Sequence, residues 1–254
     1  MKYSIIRLPN VIEYGEGNTK TLHRYNEFIA DRGKFQANGF NLDEEDFEEH
    51  GLRDVDDNKV SVFPARFTDE YGDITTGPQT VSRKDIGHII TYTGLTKTSN
   101  VLDAGAGSGA LALYLANIAE TVITVDVDQD NVDLVRDNKE RLNADNLTVK
   151  HADITDKHRI ASSAFDVVTL DMPHPWEALP TVREALRIGG YTAVYTPHIS
   201  QAQRVVNDAP QALHHEDTVE VTATTWDVGE KRLRPSTQGV DHTGFLTFLR
   251  CIDT

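Results

Sequence analysis

Apolar positions in this chain recur at two spacings, and the alternation between them lays out the elements from residue 80 onward. Lys84 to Tyr92 carries Ile86, Ile89 and Ile90 at helical spacing. Asn100 to Asp103 is a short apolar run entering a glycine loop, and Ser108 to Ile118, dense in Ala and Leu, predicts a buried helix. Thr121 to Val125 is β-branched and predicts a strand. Asp130 to Leu142 is amphipathic, with Val132, Leu134, Val135 and Leu142 near helical spacing. Strands follow at Leu147 to His151 and Phe165 to Leu170. Then come a helix from Trp176 to Leu186 that Gly189-Gly190 ends, a strand at Tyr191 to Tyr195 and a helix at Ile199 to Asn207. Two last strands, around Thr218 to Trp226 and Thr243 to Arg250, have no helical pattern between them. Strands that alternate with helices run parallel with right-handed crossovers. A final pair without a crossover helix is expected to form an antiparallel hairpin at the sheet edge.

The first 70 residues read differently. Short apolar runs, Tyr3 to Leu8 and Val60 to Phe63, flank an acidic stretch from Asn41 to Glu49. A small β-rich domain is predicted over residues 1–70, with Asp69 to Asp73 as a linker and one α/β domain over residues 71–254. No run approaches the about 18 apolar residues of a membrane-spanning helix. The N-terminus lacks the ~7–15-residue apolar core of a secretory signal, so a cytoplasmic location is expected. The single cysteine, Cys251, excludes an internal disulfide and a cysteine-rich metal site. Forty acidic residues oppose 25 basic ones, a formal net charge of −15, with 25 Asp against 15 Glu. That balance disfavours nonspecific attraction to nucleic acid. It fits either a plainly acidic surface or one adapted to a salt-rich cytosol, where screening weakens self-repulsion.

Candidate chemistry concentrates at the expected carboxyl ends of the strands. Asp103-Ala104-Gly105-Ala106-Gly107-Ser108-Gly109-Ala110 joins a strand to a helix. Its glycines allow a sharp turn and the close approach of a ligand. The same spacing fits a dinucleotide loop ending in alanine. Asp103 separates the two readings: a carboxylate there pairs with a cation, such as the amino group of a methionine moiety, and serves a pyrophosphate poorly. Asp126 ends the next strand, where it can accept both hydroxyls of a ribose, and nearby Asp128 fits a helix cap. Asp153 is read either as an acceptor for an adenine amino group or as a loop or cap acid. The richest segment is Leu170-Asp171-Met172-Pro173-His174-Pro175-Trp176. A buried strand delivers Asp171 beside the glycine loop, and the prolines hold the following turn extended. A carboxylate there can accept a hydrogen bond from the exocyclic amine of a base and take its proton as the amine becomes acidic. His174 is read as a surface turn residue, and Trp176 as a packing anchor or a stacking platform.

On these residues the chain resembles the tRNA (adenine-58-N1)-methyltransferases, in particular their archaeal branch. The resemblance rests on Gly77-Pro78-Gln79, Lys84-Asp85, the glycine loop with its helix and the LDMPHPW segment. It rests also on Val194-Tyr195-Thr196-Pro197, Arg232-Leu233-Arg234-Pro235 and His242-Thr243-Gly244-Phe245, and it spans about residues 70–254. It implies an α/β fold of the class I S-adenosylmethionine-dependent methyltransferase type: a Rossmann-like seven-stranded sheet with an antiparallel last hairpin, plus a small β-rich N-terminal domain. It implies that S-adenosylmethionine (SAM) is held by Gln79, Asp103, Gly105, Gly107, Ser108, Gly109, Ala110, Asp126, Asp153 and Asp171, with Asp171 catalytic. The implied reaction is direct methyl transfer, without a metal, to N1 of adenosine 58 in the T-loop of tRNA, with position 57 a second target in archaeal members. The implied assembly is a homotetramer without membrane association. N1 lies on the Watson–Crick edge, so the base must be flipped out at a cost of about a few kcal/mol.

Contacts to tRNA are expected from Lys231, Arg232 and Arg234 and from His242. Arg83-Lys84 and the set Lys20, Arg24, Arg32 and Lys34 are weaker basic clusters. The chain departs from the family pattern at Ser82 and Arg83, where an aromatic or histidine and a proline are usual. Base stacking worth about 1–3 kcal/mol then falls to other residues, His242 and Trp226 being the candidates. The competing readings are a small-molecule, corrin-type SAM methyltransferase, a nicotinamide-dependent dehydrogenase and a noncatalytic RNA-binding subunit. The dehydrogenase leaves Asp103 and the LDMPHPW segment unexplained, and retention of Asp103, Asp126 and Asp171 disfavours the noncatalytic subunit.

Overall fold

The computed structural model describes residues 1–9, 11–14, 18–21, 26–37, 39–77, 80–156, 160–162, 164–229, 232–236 and 242–253. For residues 11–14, 18–21, 229 and 232 it describes the backbone only. The chain forms two compact units, Met1–Ile74 and Thr75–Thr254.

The first unit is built from short strands: β1 Lys2–Arg7, β2 Val11–Tyr14, β3 Asn18–Thr21, β4 Asn26–Asp31, β5 Phe35–Ala37, β6 Phe40–Leu42, β7 Gly51–Val55 and β8 Asn58–Pro64, followed by α1 Phe67–Gly72. β4, β1, β8 and β7 pair in that order as an antiparallel sheet, while β2 with β3 and β5 with β6 form separate hairpins. The period of two in β8 turns Val60 and Val62 to one side, where they pack with Tyr3, Ile5, Phe40, Leu42 and Phe47. The β7–β8 turn is Asp56-Asp57, both at positive φ (46° and 62°). That backbone matches the twist of the strands it joins, and the Asn58 side chain donates to the Asp56 carbonyl at 2.7 Å. A helix, α1, stands where Asp69 to Asp73 was expected to be a linker. The polar run conceals one apolar position, Tyr71, which is buried and rests 5.5 Å from the Phe67 ring.

The second unit comprises α2 Arg83–Thr93, β9 Asn100–Ala104, α3 Ala110–Ala116, β10 Thr121–Asp126, α4 Gln129–Leu142, β11 Leu147–His151 and β12 Phe165–Leu170. A 3-10 turn at Pro175–Ala178 leads into α5 Leu179–Ala185, β13 Leu186–Thr196, α6 Ile199–Asp208, β14 Leu213–Val219, β15 Trp226–Gly229, β16 Arg232–Pro235 and β17 Phe245–Cys251. The sheet order is β11-β10-β9-β12-β13-β17-β14. β9 to β13 are parallel, and β17 runs antiparallel to both its neighbours. The central strands are near-continuous apolar runs because both faces are covered. On one side Leu179, Val182 and Ala185 of α5 and Val205 of α6 pack with Leu102, Val168, Val194 and Leu249 in a single core.

Two expectations need correcting. Gly189-Gly190 does not end a helix: α5 stops at Ala185, and the glycines lie inside β13, where the ladder to β12 shifts register between Phe165 and Val167. The antiparallel pair expected at the sheet edge is present, β14 against β17, but its first strand is Leu213–Val219 and not 218–226. β17 is inserted between β13 and β14, β14 begins at Leu213, and the connection carries its own ribbon, β15 with β16. LHHEDTV is too polar to read as a strand because it occupies the sheet edge.

Candidate active site

The carboxyl ends of β9, β10 and β12 lie side by side in the sheet, and an acid stands at or just past each of them. Asp103 is fully buried, in register with Thr124 on β10 and Thr169 on β12. Each threonine hydroxyl donates to one carboxylate oxygen, at 2.7 and 2.6 Å. Burial pushes the Asp103 carboxyl up to about 6, and the charge of Asp126 adds to the rise, against the lowering effect of the two hydroxyls.

The chain leaves β9 through Gly105 at φ 86°. A Cβ on Gly105 would lie 1.9 Å from the Asp171 carbonyl oxygen, so no other residue fits here. The Asp171 amide donates to the Ala104 carbonyl at 2.9 Å. The glycine loop and the Asp171 turn are therefore one packed body. Asp171 is half-buried; burial first and the charge of Asp103 second push its carboxyl up to about 7.

Asp126 braces the glycine loop from the adjacent strand. It accepts from the amides of Gly107 at 3.0 Å and Asp128 at 2.9 Å, and from the Asn131 side chain at 3.2 Å. Asp128 caps α4 by accepting from the Asp130 amide at 2.9 Å. Ser108 and Ala110 are buried at the end of the loop, Ala110 opening α3 after Gly109. The Ser108 carbonyl accepts from Asn138 of α4 at 2.9 Å, and Asn138 exchanges two further hydrogen bonds with the Thr75 backbone, at 3.0 and 2.8 Å. Asn131 and Asn138 are not evident from the motifs. Asn138 had a signal, since it continues the buried stripe of Val132 and Val135 and is polar.

Other predicted residues stand apart from this group. Asp153 is exposed and accepts from the Thr155 amide at 2.8 Å and hydroxyl at 2.7 Å, the bonding of a loop acid. His174, at φ 54°, opens the 3-10 turn. Trp176 is buried with the Arg204 guanidinium 4.0 Å over its ring, so of its two readings the packing anchor holds. Gln79 and Lys231 lie outside the described residues, as do Pro78 and Arg24. Arg234 is exposed and faces Asp227 at 3.8 Å. Exposed His242 shares a hydrogen bond with Glu220, and that bond raises its pKa above the ordinary imidazole value. Lys84 does not present a surface cation: it is mostly buried and bonded to Asp85, Val221 and Thr243. Arg32 is paired with Glu48 at 2.7 Å and Glu44 at 3.5 Å. Ser82 donates to Asp85 at 2.7 Å, and Trp226 stands half-exposed on β15. Among the described residues no group of three or more His, Cys, Asp or Glu could hold a metal ion.

Three carboxyl groups gathered at one glycine loop, two of them reluctant to ionise, form a site for a ligand that carries positive charge and hydroxyls. They would repel a pyrophosphate. With this strand order, the sheet has the class I methyltransferase fold. A family model described as the tRNA methyltransferase complex GCD14 subunit matches residues 74–244, and the chain belongs to that family. The tRNA (adenine(57)-N(1)/adenine(58)-N(1))-methyltransferase TrmI of Methanocaldococcus jannaschii is 30% identical over 205 residues, covering 67% of this chain and 71% of that protein. The tRNA (adenine(58)-N(1))-methyltransferase TrmI of Thermus thermophilus is 29% identical, over 66% of this chain and 67% of its own length. The crystal structure of TrmI from Aquifex aeolicus shares the fold with a TM-score of 0.78 at 20% identity, covering 99% of this chain and 97% of that one.

Proposed function

We propose that this chain methylates N1 of adenosine 58 of tRNA with SAM as methyl donor, in the cytoplasm and as a homotetramer, with position 57 a second target. The observation that carries the reading is Asp171: a carboxyl at the centre of the sheet edge, locked to the glycine loop, and held near 7 by burial and by Asp103. SAM, when bound, supplies a methyl group made electrophilic by its sulfonium. The donor set suits it, because Asp103 and Asp171 lie where a cation would relieve their charge and Asp126 can accept ribose hydroxyls. Gly105, Gly107, Ser108, Gly109 and Ala110 line the approach, and Gln79 and Asp153 complete the proposed set.

Asp171 accepts a hydrogen bond from the 6-amino group of the flipped adenine, which fixes the orientation of the ring and so of the lone pair that N1 carries in the ring plane. Methylation at N1 places positive charge on the ring and acidifies that amine. Asp171 takes the proton, and a pKa of about 7 matches it to a neutral medium. The tRNA body is held by Lys231, Arg232, Arg234 and His242.

The printed names of the relatives support the tRNA substrate, and the M. jannaschii protein supports the second position. Self-association is supported by the ribbon β15–β16, where Trp226, Val228 and Leu233 are 53%, 77% and 77% exposed on one face. The net charge of −15 supports adaptation to a salt-rich cytosol.

The test is methyl transfer from labelled SAM to unmodified tRNA, across low to molar potassium chloride, beside the same tRNA with guanosine at position 58. Transfer that drops on that replacement is expected. Equal label in both tRNAs, or none in either, overturns the reading. Asp171→Ala should reduce transfer about 10²–10⁴-fold while SAM still binds in a calorimeter. Comparable loss of transfer and of SAM binding sinks the catalytic assignment.

A further inference from the structure

A single ammonium group fastens both ends of the segment that joins β14 to β17. Lys84, in the first turn of α2, has three N–H donors. They go to the Asp85 carboxylate at 3.0 Å, the Val221 carbonyl at 2.5 Å and the Thr243 hydroxyl at 2.7 Å. Val221 lies just past the end of β14, and Thr243 just before the start of β17. Asp85 is fully buried and also accepts hydrogen bonds from the hydroxyls of Ser82 and Thr243, each at 2.7 Å. Thr243 thus accepts from the cation and donates to the anion.

Neighbouring contacts repeat the same tie. Glu220 and His242 bridge the two ends of the segment directly. The Tyr195 hydroxyl donates to the Thr243 carbonyl, and Gly244 lies so close to the Tyr195 ring that an added Cβ would stand 2.6 Å from it. The fastened segment carries the ribbon β15–β16, with Arg234 opposite Asp227 on one face. A two-stranded ribbon is marginal by itself and takes its orientation from its roots.

A buried ion pair is a weak source of stability, because desolvation offsets most of the attraction; its best-attested use is to fix register. We propose that Lys84 and Asp85 are positioning residues for tRNA: they set the base of this arm, and with it Arg234, relative to Asp171. They touch neither substrate nor SAM. The inference rests on the tRNA reading above.

The test is Lys84→Met/Asp85→Asn, which removes both charges together so that neither is left alone in the interior. The expected result is a folded protein with SAM affinity within about twofold of the parent, kcat within about threefold, and KM for unmodified tRNA raised about tenfold or more. Amide exchange at 219–229 and 242–245 should quicken alongside. Thr243→Val should shift KM the same way by less, and Thr243→Ser should restore it.

A folded double variant with the parental KM overturns the proposal. So does a loss confined to kcat or shared with SAM affinity, which would put the pair at the pocket instead of the arm. If the double variant does not fold, the Val and Ser variants of Thr243 decide by the same criterion. An unsubstituted chain that accepts no methyl on any tRNA fails the functional reading and this inference with it, so the parent separates the two failures.

Discussion

Asp171 is held near 7 by burial and by the charge of Asp103, and only its ionised form can take a proton from an adenine amine. Single-turnover transfer should therefore rise with pH between about 6 and 8 and then level off. A bound cation would move the midpoint down. Asp171→Asn should be slow and flat over the same range; a matching pH profile in both proteins would assign the titration to another group. Stability runs the other way. Asp103 and Asp171 have folded values of about 6 and about 7, above the roughly 3.9 of an unfolded aspartate. The stability they contribute is full below the unfolded value and is lost as pH rises through the folded ones. The melting temperature of the ligand-free chain should fall between about pH 4 and 7, and Asp103→Asn should blunt the fall; an equal fall in both would place its source elsewhere. Asp103, Asp126 and Asp171 were legible in the sequence because a lone acid ending an apolar strand is conspicuous. Thr124 and Thr169, which hold Asp103, were not. Inside VITVD and DVVTL a threonine looks like any β-branched strand residue.

At the scale of elements, α4 acts as the frame of the glycine loop. Its first turn supplies Asn131 to Asp126, and its third-turn Asn138 holds both Ser108 and Thr75. Asn138→Ala would leave the buried Ser108 carbonyl without this partner, and the amide and carbonyl of exposed Thr75 to water. A loss of about 1–3 kcal/mol in urea unfolding is expected, together with weaker SAM binding by calorimetry. An unchanged SAM affinity would mean the loop holds its shape without α4. Periodicity located α4 and most strands well because their partners are apolar. It found Tyr191 to Tyr195 but missed the start of β13, whose glycines lie within an irregular ladder, and all but the end of β14, whose polar side chains face away from the core at the sheet edge. Local pattern reports what a residue prefers, and both of these segments are strands because of what they lie beside.

For the whole molecule, charge is the property that composition reveals most directly. Several described bases are matched with acids nearby: Arg32 with Glu48, Arg53 with Asp46, Arg187 with Asp166, Arg204 with Asp208 and Arg250 with Glu216. A net charge of −15 then remains to be screened. Raising potassium chloride from about 0.1 M toward molar concentrations, where the screening length falls from about 10 Å to about 3 Å, should raise the melting temperature. A flat response would leave the acidity without a salt-adaptive role. The insertion of β17 between β13 and β14 has a different consequence, for synthesis. Chain that emerges from the ribosome in order must wait for β17 before β13 and β14 can be joined. Until residues 245–251 are free, the flank of β13 is an open template and β14 has nothing to pair with. Residues 245–251 are thus the keystone of the sheet, and a chain without them would leave the flank of β13 an unpaired edge.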